Sequence, residues 1–374
     1  MSVDKIVIVA DDLTGACDSG VAFLATGRRA RVVLNESSMN TEVSRLSQVP
    51  GNPEVWAFTT ETRDMPPEQA GERVSSGLTA FGPILDSALL FKKIDSAARG
   101  NFGVEISAAL DCSRAVLALV APAFPATGRT VKAGVLTVRD WSGQDVSTPL
   151  RDQFQHVPPA SIEVLSAGPE QLLQQGIARA LRNGTRILLC DATTEADLEE
   201  LAAAGLKTEQ PLLWAGSAGL AHALAGELCA STTTAAALQP ARRVGEVLLF
   251  VGTPHPVTSL QIAHLEQKSR GMNRTVHRIP GVAASEQEVI TAFATRPVAS
   301  LILTGGDTAS FVLHALGASS IELAGEIARG IPWGFIEGGM ADGCVVVTKS
   351  GGFGEREALA QAFEFCERRF CDPA

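Results

Sequence analysis

Two adjacent aspartates stand near the start of the chain, at the point where a run of β-branched residues ends. The stretch VIVADDLTGACDSG places Asp11 and Asp12 directly after the apolar run, and Thr14 and Gly15 open a helical pattern. Adjacent carboxylates repel each other and raise each other's pKa. One aspartate by itself would serve as the N-cap of the helix, but a pair predicts cationic or hydroxyl groups in front of it.

Basic residues follow two later apolar runs. Arg63 lies in the loop TTETRD, and the stretch FKKIDSAARGN leaves another run. An arginine can hold a carboxylate through two parallel hydrogen bonds, although a strand-end lysine commonly extends to solvent. Successive strand residues face opposite ways, so at most one of Lys92 and Lys93 points into a cleft. The candidate cleft residues of this set are Arg63, Lys92, Lys93, Asp95, Ser96 and Arg99.

The acidic pair and the basic set together suit a small hydroxylated carboxylic acid. The cations would hold the carboxylate of such a ligand, and Asp11 and Asp12 would hold its hydroxyl groups.

Three glycine-rich turns lie in the last third of the chain. The sequences VGTPH, LTGGDT and TKSGGFG each end an apolar run and precede a helical pattern or turn. Glycines let backbone N–H groups form an anion-binding nest, and a helix N-terminus adds its dipole. One such turn is typical of any tight connection, whereas three of them favour a polyphosphate, although none is a Walker A sequence. The candidates are Gly252, Thr253, Gly305, Gly306, Asp307, Thr308, Lys349, Ser350, Gly351, Gly352, Phe353 and Gly354.

An acid-binding cleft and phosphate nests in one chain indicate phosphoryl transfer. That reaction needs Mg²⁺ and lysine to neutralise charge and a carboxylate near the attacking hydroxyl. One of Asp11 and Asp12 would orient or deprotonate this hydroxyl, and the other would fix the substrate or a loop. We take Asp12 as the catalytic candidate.

The elements that must position these residues alternate along the chain. Continuous apolar strands separated by helices indicate a parallel sheet covered on both faces, and ligands bind such sheets at the carboxyl ends of the strands. The predicted strands are Ile6–Ala10, Arg31–Leu34, Val55–Thr59, Leu89–Lys92, Val116–Val120, Ile187–Cys190, Val247–Val251, Val276–Ile279, Leu301–Thr304 and Cys344–Lys349. Predicted helices include Gly15–Ala25, Gly103–Leu110, Pro169–Leu181 and Glu195–Ala204. Residues 121–168, rich in proline, glycine and polar residues, predict irregular or antiparallel structure.

The length of the chain predicts two domains. A single hydrophobic core stops growing at about 250–300 residues, and this chain has 374 residues. The stretch ASTTTAAALQPAR is small and polar without a clear period, which is typical of a linker. We expect an α/β protein whose two domains are each a largely parallel sheet flanked by helices, with the active site in the cleft between them. The predicted boundaries are 1–230 for the acid-binding domain, 231–243 for the linker and 244–374 for the nucleotide-binding domain.

Composition excludes several classes of protein. A net charge of −10 without a basic stripe argues against a nucleic-acid partner. Seven cysteines without a C-x-x-C spacing argue against a disulfide framework and a zinc knuckle. No apolar run reaches the ~18 residues of a membrane span, and no signal peptide is recognisable, so we expect a reduced, cytoplasmic setting. Without G-x-G-x-x-G after the first strand, a dinucleotide-dependent dehydrogenase is disfavoured.

Five motifs together resemble the four-carbon acid sugar kinases. The family patterns A-D-D-L-T-G-A-x-D-T-G and K-K-I-D-S-T-x-R-G-N resemble residues 10–20 and 92–101. The patterns A-P-A-F-P-x-x-G-R-T, T-G-G-D-T-A and K-S-G-G-F-G are present at 121–130, 304–309 and 349–354. The resemblance therefore extends over nearly the whole chain.

The resemblance implies ATP-dependent phosphorylation of the terminal hydroxyl of an acid such as threonate, erythronate or 3-oxo-tetronate. It also implies an N-terminal sugar-acid domain and a C-terminal nucleotide domain. Its substrate contacts would be Asp11, Asp12, Arg63, Lys92, Lys93, Ile94 and Asp95, and its ATP contacts would be Gly305–Thr308 and Gly351. Four residues differ from those usual in the family: Cys17, Ala97, Ala98 and Thr253.

Two further expectations accompany this interpretation. The alternative function is a catalytically silent protein that binds a nucleotide or metabolite and acts in regulation, which ATP turnover with any sugar acid would exclude. The sequence does not specify an oligomeric state, and a homodimer is the commonest assembly for enzymes of this kind.

Overall fold

The computed structural model describes residues 3–34, 54–229, 243–268, 276–277 and 285–370. Within these ranges the strands are β1 (Ile6–Ala10), β2 (Ala30–Val33), β3 (Val55–Thr59), β4 (Leu89–Lys93), β5 (Leu117–Ala121), β6 (Arg129–Lys132), β7 (Val135–Arg139), β8 (Asp145–Pro149), β9 (Ile162–Leu165), β10 (Ile187–Cys190), β11 (Leu212–Gly216), β12 (Glu246–Val251), β13 (Val276–His277), β14 (Val298–Thr304), β15 (Ser320–Ala328), β16 (Ile331–Glu337) and β17 (Val345–Lys349).

The helices of the same ranges are α1 (Leu13–Ala22), α2 (Pro67–Thr79), α3 (Phe102–Asp111), α4 (Glu170–Arg182), α5 (Glu195–Leu206), α6 (Ala218–Leu228), α7 (Pro256–Lys268), α8 (Glu286–Ala294), α9 (Gly306–Ala315) and α10 (Ala358–Phe370). Among the residues described, no helix is both long and apolar enough to cross a membrane.

Most of the described strands form one large sheet. Its order is β13-β12-β14-β17-β16-β15-β2-β3-β1-β4-β11-β5-β10-β9. The run from β2 to β9 is parallel throughout, and so is the run from β13 to β17. The predicted α/β class with a mostly parallel sheet flanked by helices is confirmed.

The two parallel runs join through an antiparallel hairpin. Strand β15 pairs with β16 and with β2, and β16 pairs with β17, all in antiparallel register. Three antiparallel pairings between β17 and β2 mean that the two parallel runs point in opposite directions. The sequence suggested two separate sheets, whereas the hairpin makes them continuous.

The hairpin and one central strand carry weak sequence signals. No strand was predicted over β15, β16 or β11. In β16 the strand pattern is interrupted by Pro332 and Gly334, residues of types depleted in strands. The predicted antiparallel structure within 121–168 is confirmed for the small sheet β6-β7-β8, whereas β9 in the same range is a parallel strand of the large sheet. The predicted linker 231–243 lies almost wholly outside the described residues, as does the end of the predicted strand Val276–Ile279.

Asp12 is the N-cap of helix α1, and its carboxylate accepts the backbone N–H of Gly15 at 2.8 Å. Every residue of this helix is buried, which explains its small residues: a Cβ on Gly20 would lie 2.8 Å from Leu323 on β15. The helix also contacts β1 and β3 of one parallel run and β17 of the other, so it lies between the two runs.

Candidate active site

The candidate site is a cleft lined mainly by charged and polar side chains. Its walls come from the carboxyl ends of β1 and β4, from α1 and from the loops after β15 and β17. The lining residues are Asp12, Thr14, Gly15, Asp18, Arg63, Lys93, Asp95, Ser96, Gly330, Ser350 and Phe353. A Cβ on Gly306 would lie 2.5 Å from the Asp12 carboxylate, so the start of α9 also meets the start of α1.

Arg63 is the cation in front of the acidic pair. Its Nε donates to Asp11 at 2.7 Å and its Nη1 donates to Asp12 at 2.9 Å. Burial opposes ionisation of Asp12, but Arg63 and Lys93 outweigh it and lower the pKa of this carboxyl. Burial raises the pKa of Asp11, and Arg63 offsets this only in part.

Asp12 is also held by its own helix. Besides the Gly15 N–H, it accepts the Thr14 hydroxyl at 2.8 Å on the oxygen that Arg63 contacts. A carboxylate has about four lone-pair sites, two on each oxygen. Oδ2 accepts from Thr14 and Arg63, and Oδ1 accepts only from Gly15, so one lone-pair site on Oδ1 stays open for a ligand hydroxyl.

Asp95 organises the loop after β4. Its oxygens accept the backbone N–H of Ala97 and both the side chain and the backbone N–H of Arg99, at 2.7 to 3.3 Å. These contacts and Arg63 lower the pKa of Asp95 against the effect of burial. Ala98 adopts a φ of +57°, a strained value for a residue with a Cβ. Asp95 thus supports a strained loop at the edge of the cleft.

Lys92 and Lys93 face opposite sides of the sheet. Lys92 is fully buried away from the cleft, where its ammonium lies 2.9 Å from the Glu105 carboxylate. Lys93 lines the cleft, and among the residues described its ammonium has no hydrogen-bond or ion-pair partner. Gly15 leaves room for it, because a Cβ there would lie 3.1 Å from Lys93 Nζ.

The three glycine turns converge beside this cleft. They follow β12, β14 and β17, which are neighbours in the sheet. A Cβ on Gly305 would lie 3.2 Å from Cβ of Thr253, and one on Gly351 would lie 2.5 Å from its Oγ1. Gly305 has a φ of +100°, a value that favours glycine. The turns form one surface around Thr253.

The turn after β17 is held from within. The Lys349 ammonium donates to the carbonyls of Ser350, Gly351 and Phe353 at 2.7 to 3.2 Å. Burial lowers the pKa of Lys349 to about 7. Gln261 on α7 donates to the carbonyls of the same turn, including that of Phe353 at 3.0 Å.

Each residue predicted from sequence can now be placed. The residues that the structure brings together at the cleft are Asp12, Arg63, Lys93, Asp95, Ser96, Ser350 and Phe353. Asp11 lies behind Arg63, and Arg99 lies at the rim through its pair with Asp95. The glycine-turn surface is formed by Gly252, Thr253, Gly305, Gly306, Asp307, Thr308, Lys349, Gly351, Gly352 and Gly354.

Lys92 and Ile94 point into the protein core and not into the cleft. Lys92 is corrected to a structural ion pair, because strand alternation directs it away from Lys93. Ile94 is fully buried, and its backbone N–H donates to Gly216 of β11 at 2.8 Å. Sequence reasoning also missed Asp18 and Gly330 of the lining. Asp18 could have been found, because it lies one helical turn beyond Thr14 and Gly15.

The carboxylates near α9 fit a cation brought in with phosphates. Over the described ranges, no three His, Cys, Asp or Glu side chains form a metal-binding group. Mg²⁺ needs no such group, because one or two carboxylates plus phosphate oxygens hold it. Desolvation and the neighbouring Asp64 and Asp12 raise the pKa of Asp307. Asp307 therefore has the carboxylate chemistry that would suit Mg²⁺ if phosphate oxygens supplied further ligands.

Two family models match the chain. One, described as a sugar-binding N-terminal domain, matches residues 6–224, and the other, described as a nucleotide-binding C-terminal domain, matches residues 190–359. Both models together span the cleft and the glycine-turn surface.

Characterised relatives match over nearly their whole length. A D-threonate kinase of Bordetella bronchiseptica is 32% identical, with 98% of each chain covered. A D-erythronate kinase of Heliobacterium modesticaldum is 25% identical, with 97% of each covered. A 3-oxo-tetronate kinase of Salmonella typhimurium is 23% identical, with 96% of this chain and 98% of that one covered.

A solved structure shares the fold. A Haemophilus influenzae protein superposes with a TM-score of 0.66 at 19% identity, covering 98% of this chain and 100% of that chain. At this identity the similarity concerns the architecture and not the ligands.

Proposed function

The chain belongs to the four-carbon acid sugar kinase family, and from this premise we propose that it transfers the γ-phosphoryl group of ATP to the terminal hydroxyl of a small sugar acid. Threonate, erythronate and 3-oxo-tetronate are the acceptors we propose, since the relatives named above carry those substrates in their names. The observation that carries the proposal is the cleft itself, where Lys93, unpaired among the described residues, and buried carboxylates face the turn after β17.

The acid would bind on the side of the cleft formed by β1, β4 and α1. Lys93 would offer its ammonium to the substrate carboxylate, and Ser96 would add a hydroxyl from the same cleft wall. Asp12 keeps one free direction for a substrate hydroxyl, while Arg63 holds it ionised. We propose that Asp12 orients the attacking hydroxyl and that residues 1–230 form the acid-binding domain.

The nucleotide would bind on the glycine-turn surface of residues 244–374. The start of α9 presents backbone N–H groups and the positive end of the helix dipole to phosphates. Close packing around Thr253 lets the three turns reach one polyphosphate. Asp307 would hold Mg²⁺, which when bound neutralises charge on the transferred phosphoryl group. Closure of the cleft over both ligands would exclude water from ATP.

A coupled assay of ADP release tests this function. The protein is incubated with Mg-ATP and each of threonate, erythronate and 3-oxo-tetronate, as both stereoisomers where they exist. We expect ADP release to depend on one of these acids and a phosphorylated acid to appear in equal amount. Binding of ATP without ADP release for any four- or five-carbon acid would instead support the silent regulatory protein.

A further inference from the structure

Asp18 stands apart from the other buried carboxylates of the cleft. It lies on α1, on the same face as Thr14 and Gly15, and is only 6% exposed. Its Oδ1 is buried and has no hydrogen-bond partner among the residues that the structure describes. Asp12 and Asp95, by contrast, are engaged by cations and backbone N–H groups.

The charged groups around Asp18 come from three directions. Lys93 approaches from β4, and Glu326 and Arg329 lie on the hairpin β15–β16. Asp12 caps the N-terminus of α1, the helix that carries Asp18. Burial raises the pKa of Asp18 to about 7, and Lys93 opposes this rise. A general base works best when its pKa is close to the working pH. Asp12 and Asp95, whose pKa values are lowered, are poorer proton acceptors.

We propose that Asp18 is the catalytic base that accepts the proton of the attacking hydroxyl, an inference that rests on the proposed kinase function. In this step the substrate O–H bond breaks and its proton passes to an oxygen of Asp18. The substrate oxygen forms a bond to the γ-phosphorus, the bond from that phosphorus to the bridging oxygen breaks, and ADP leaves with the electron pair. Asp12 orients the hydroxyl, so the two aspartates of α1 divide orientation and proton transfer between them.

The test compares Asp18→Asn with wild type in the ADP-release assay from pH 5.5 to 8.5. We expect kcat to fall by about 100-fold or more, while calorimetric Kd values for ATP and the acid stay within about threefold. Wild-type kcat should rise with pH through an ionisation near 7, because only deprotonated Asp18 accepts a proton. That ionisation should be absent in Asp18→Asn and should return, with part of the activity, in Asp18→Glu.

Ser19→Ala is the matched control. Ser19 is fully buried on the same helix, its hydroxyl has no partner among the described residues, and it does not line the cleft. Its removal perturbs α1 without touching the proposed chemistry, so its kcat should remain within about threefold of wild type. Thermal unfolding of each variant separates loss of the fold from loss of the base.

Several outcomes would overturn the inference. A near-normal kcat in Asp18→Asn, or a reduced kcat that keeps the wild-type ionisation, would place the base elsewhere. If Asp18→Asn fails to fold, the pH profile of the wild type still tests the inference. A wild-type kcat that shows no ionisation between pH 5.5 and 8.5 excludes Asp18 as the base. An inactive wild type would refute the kinase proposal itself, which is a different result from an active wild type that does not need Asp18.

Discussion

Residues of one type acquire different roles at this site because their surroundings differ. Lys92 and Lys93 are adjacent, yet Lys92 neutralises Glu105 in the core, whereas Lys93 faces the cleft and has no partner in the described part of the chain. The aspartates divide in the same way. Cations lower the pKa of Asp12 and Asp95, whereas burial raises that of Asp18. Burial and the nearest charge, more than residue type, set what each group can do.

Replacing each lysine by methionine should separate these roles. Lys93→Met should fold normally but lose about 10–100-fold in kcat/KM for the acid, as expected for one charged hydrogen bond of 1.5–3 kcal/mol. Lys92→Met leaves Glu105 unpaired in the core and should cost about 3–5 kcal/mol of unfolding free energy. Denaturant titrations and steady-state kinetics measure the two effects.

The double variant Lys92→Met/Glu105→Leu is the control for the buried pair. Replacement of both charges by apolar groups should recover most of the lost stability, because no uncompensated charge remains. Equal instability of the single and double variants would show that packing, and not the ion pair, governs this position.

At the scale of elements, the strand-to-helix turns form the proposed nucleotide side of the cleft. Turns after three neighbouring strands meet around Thr253, and two of them depend on glycine for space or backbone conformation. The turn after β17 is shaped by Lys349, whose ammonium binds its carbonyls. These elements are pre-formed by contacts among themselves.

Gly305→Ala should damage the nucleotide side specifically. A φ of +100° strains any residue with a Cβ, at about 1–3 kcal/mol, and the added methyl would press on Thr253. We expect lower stability and weaker ATP binding by calorimetry, with the acid Kd unchanged. Gly226→Ala on α6, where a Cβ meets open space, should instead leave ATP binding intact; an equal loss of ATP affinity in both variants would contradict the role of this turn.

Lys349 should make ATP binding depend on pH. Burial lowers the pKa of Lys349 to about 7 in the folded protein, whereas an exposed lysine in the unfolded chain keeps a pKa of about 10. Between about pH 7 and 10 the unfolded chain therefore binds more protons than the folded protein, and the free energy of unfolding rises with pH. Phosphates favour the charged ammonium, so ATP binding should raise this pKa and take up a proton near pH 7.5. Calorimetry in two buffers of different ionisation enthalpy measures this uptake.

Lys349→Met should bind ATP more weakly and without that proton uptake. The control Lys268→Met removes a half-exposed lysine of α7 in the same part of the chain. It should bind ATP and take up the proton as the wild type does. Unchanged uptake in Lys349→Met would assign the proton to another group.

At the scale of the whole molecule, one junction holds the two parallel runs together. Arg31 of β2 is almost fully buried and binds Glu322 of β15 at 3.1 Å and Glu337 of β16. Strand pairing between β2 and β15 makes the same connection through the backbone. The cleft depends on this junction, because its walls come from both sides of it.

Arg31→Met should therefore affect stability and catalysis together. Removing the cation takes a buried partner from the partly exposed Glu337, while Glu322 keeps Arg29 at 2.7 Å. The variant should lose about 1–3 kcal/mol, with a lower kcat because the cleft walls are held less firmly. Arg186→Met removes an exposed ion pair with Asp111 and should cost at most about 1 kcal/mol. Calorimetric unfolding and kinetics compare the two; equal small effects would mean that backbone pairing suffices at the junction.

The sequence by itself determined the α/β class, most strands, the glycine turns and the types of residue at the strand ends. These follow from local patterns: apolar runs of strand length, a capping aspartate and glycines after strands. Only the tertiary structure decided that the two parallel runs form one sheet, that Lys93 and not Lys92 faces the cleft, and that Asp18 lines it. Such features depend on contacts between residues far apart in the chain, such as β2 with β15, and on burial, which no local pattern specifies.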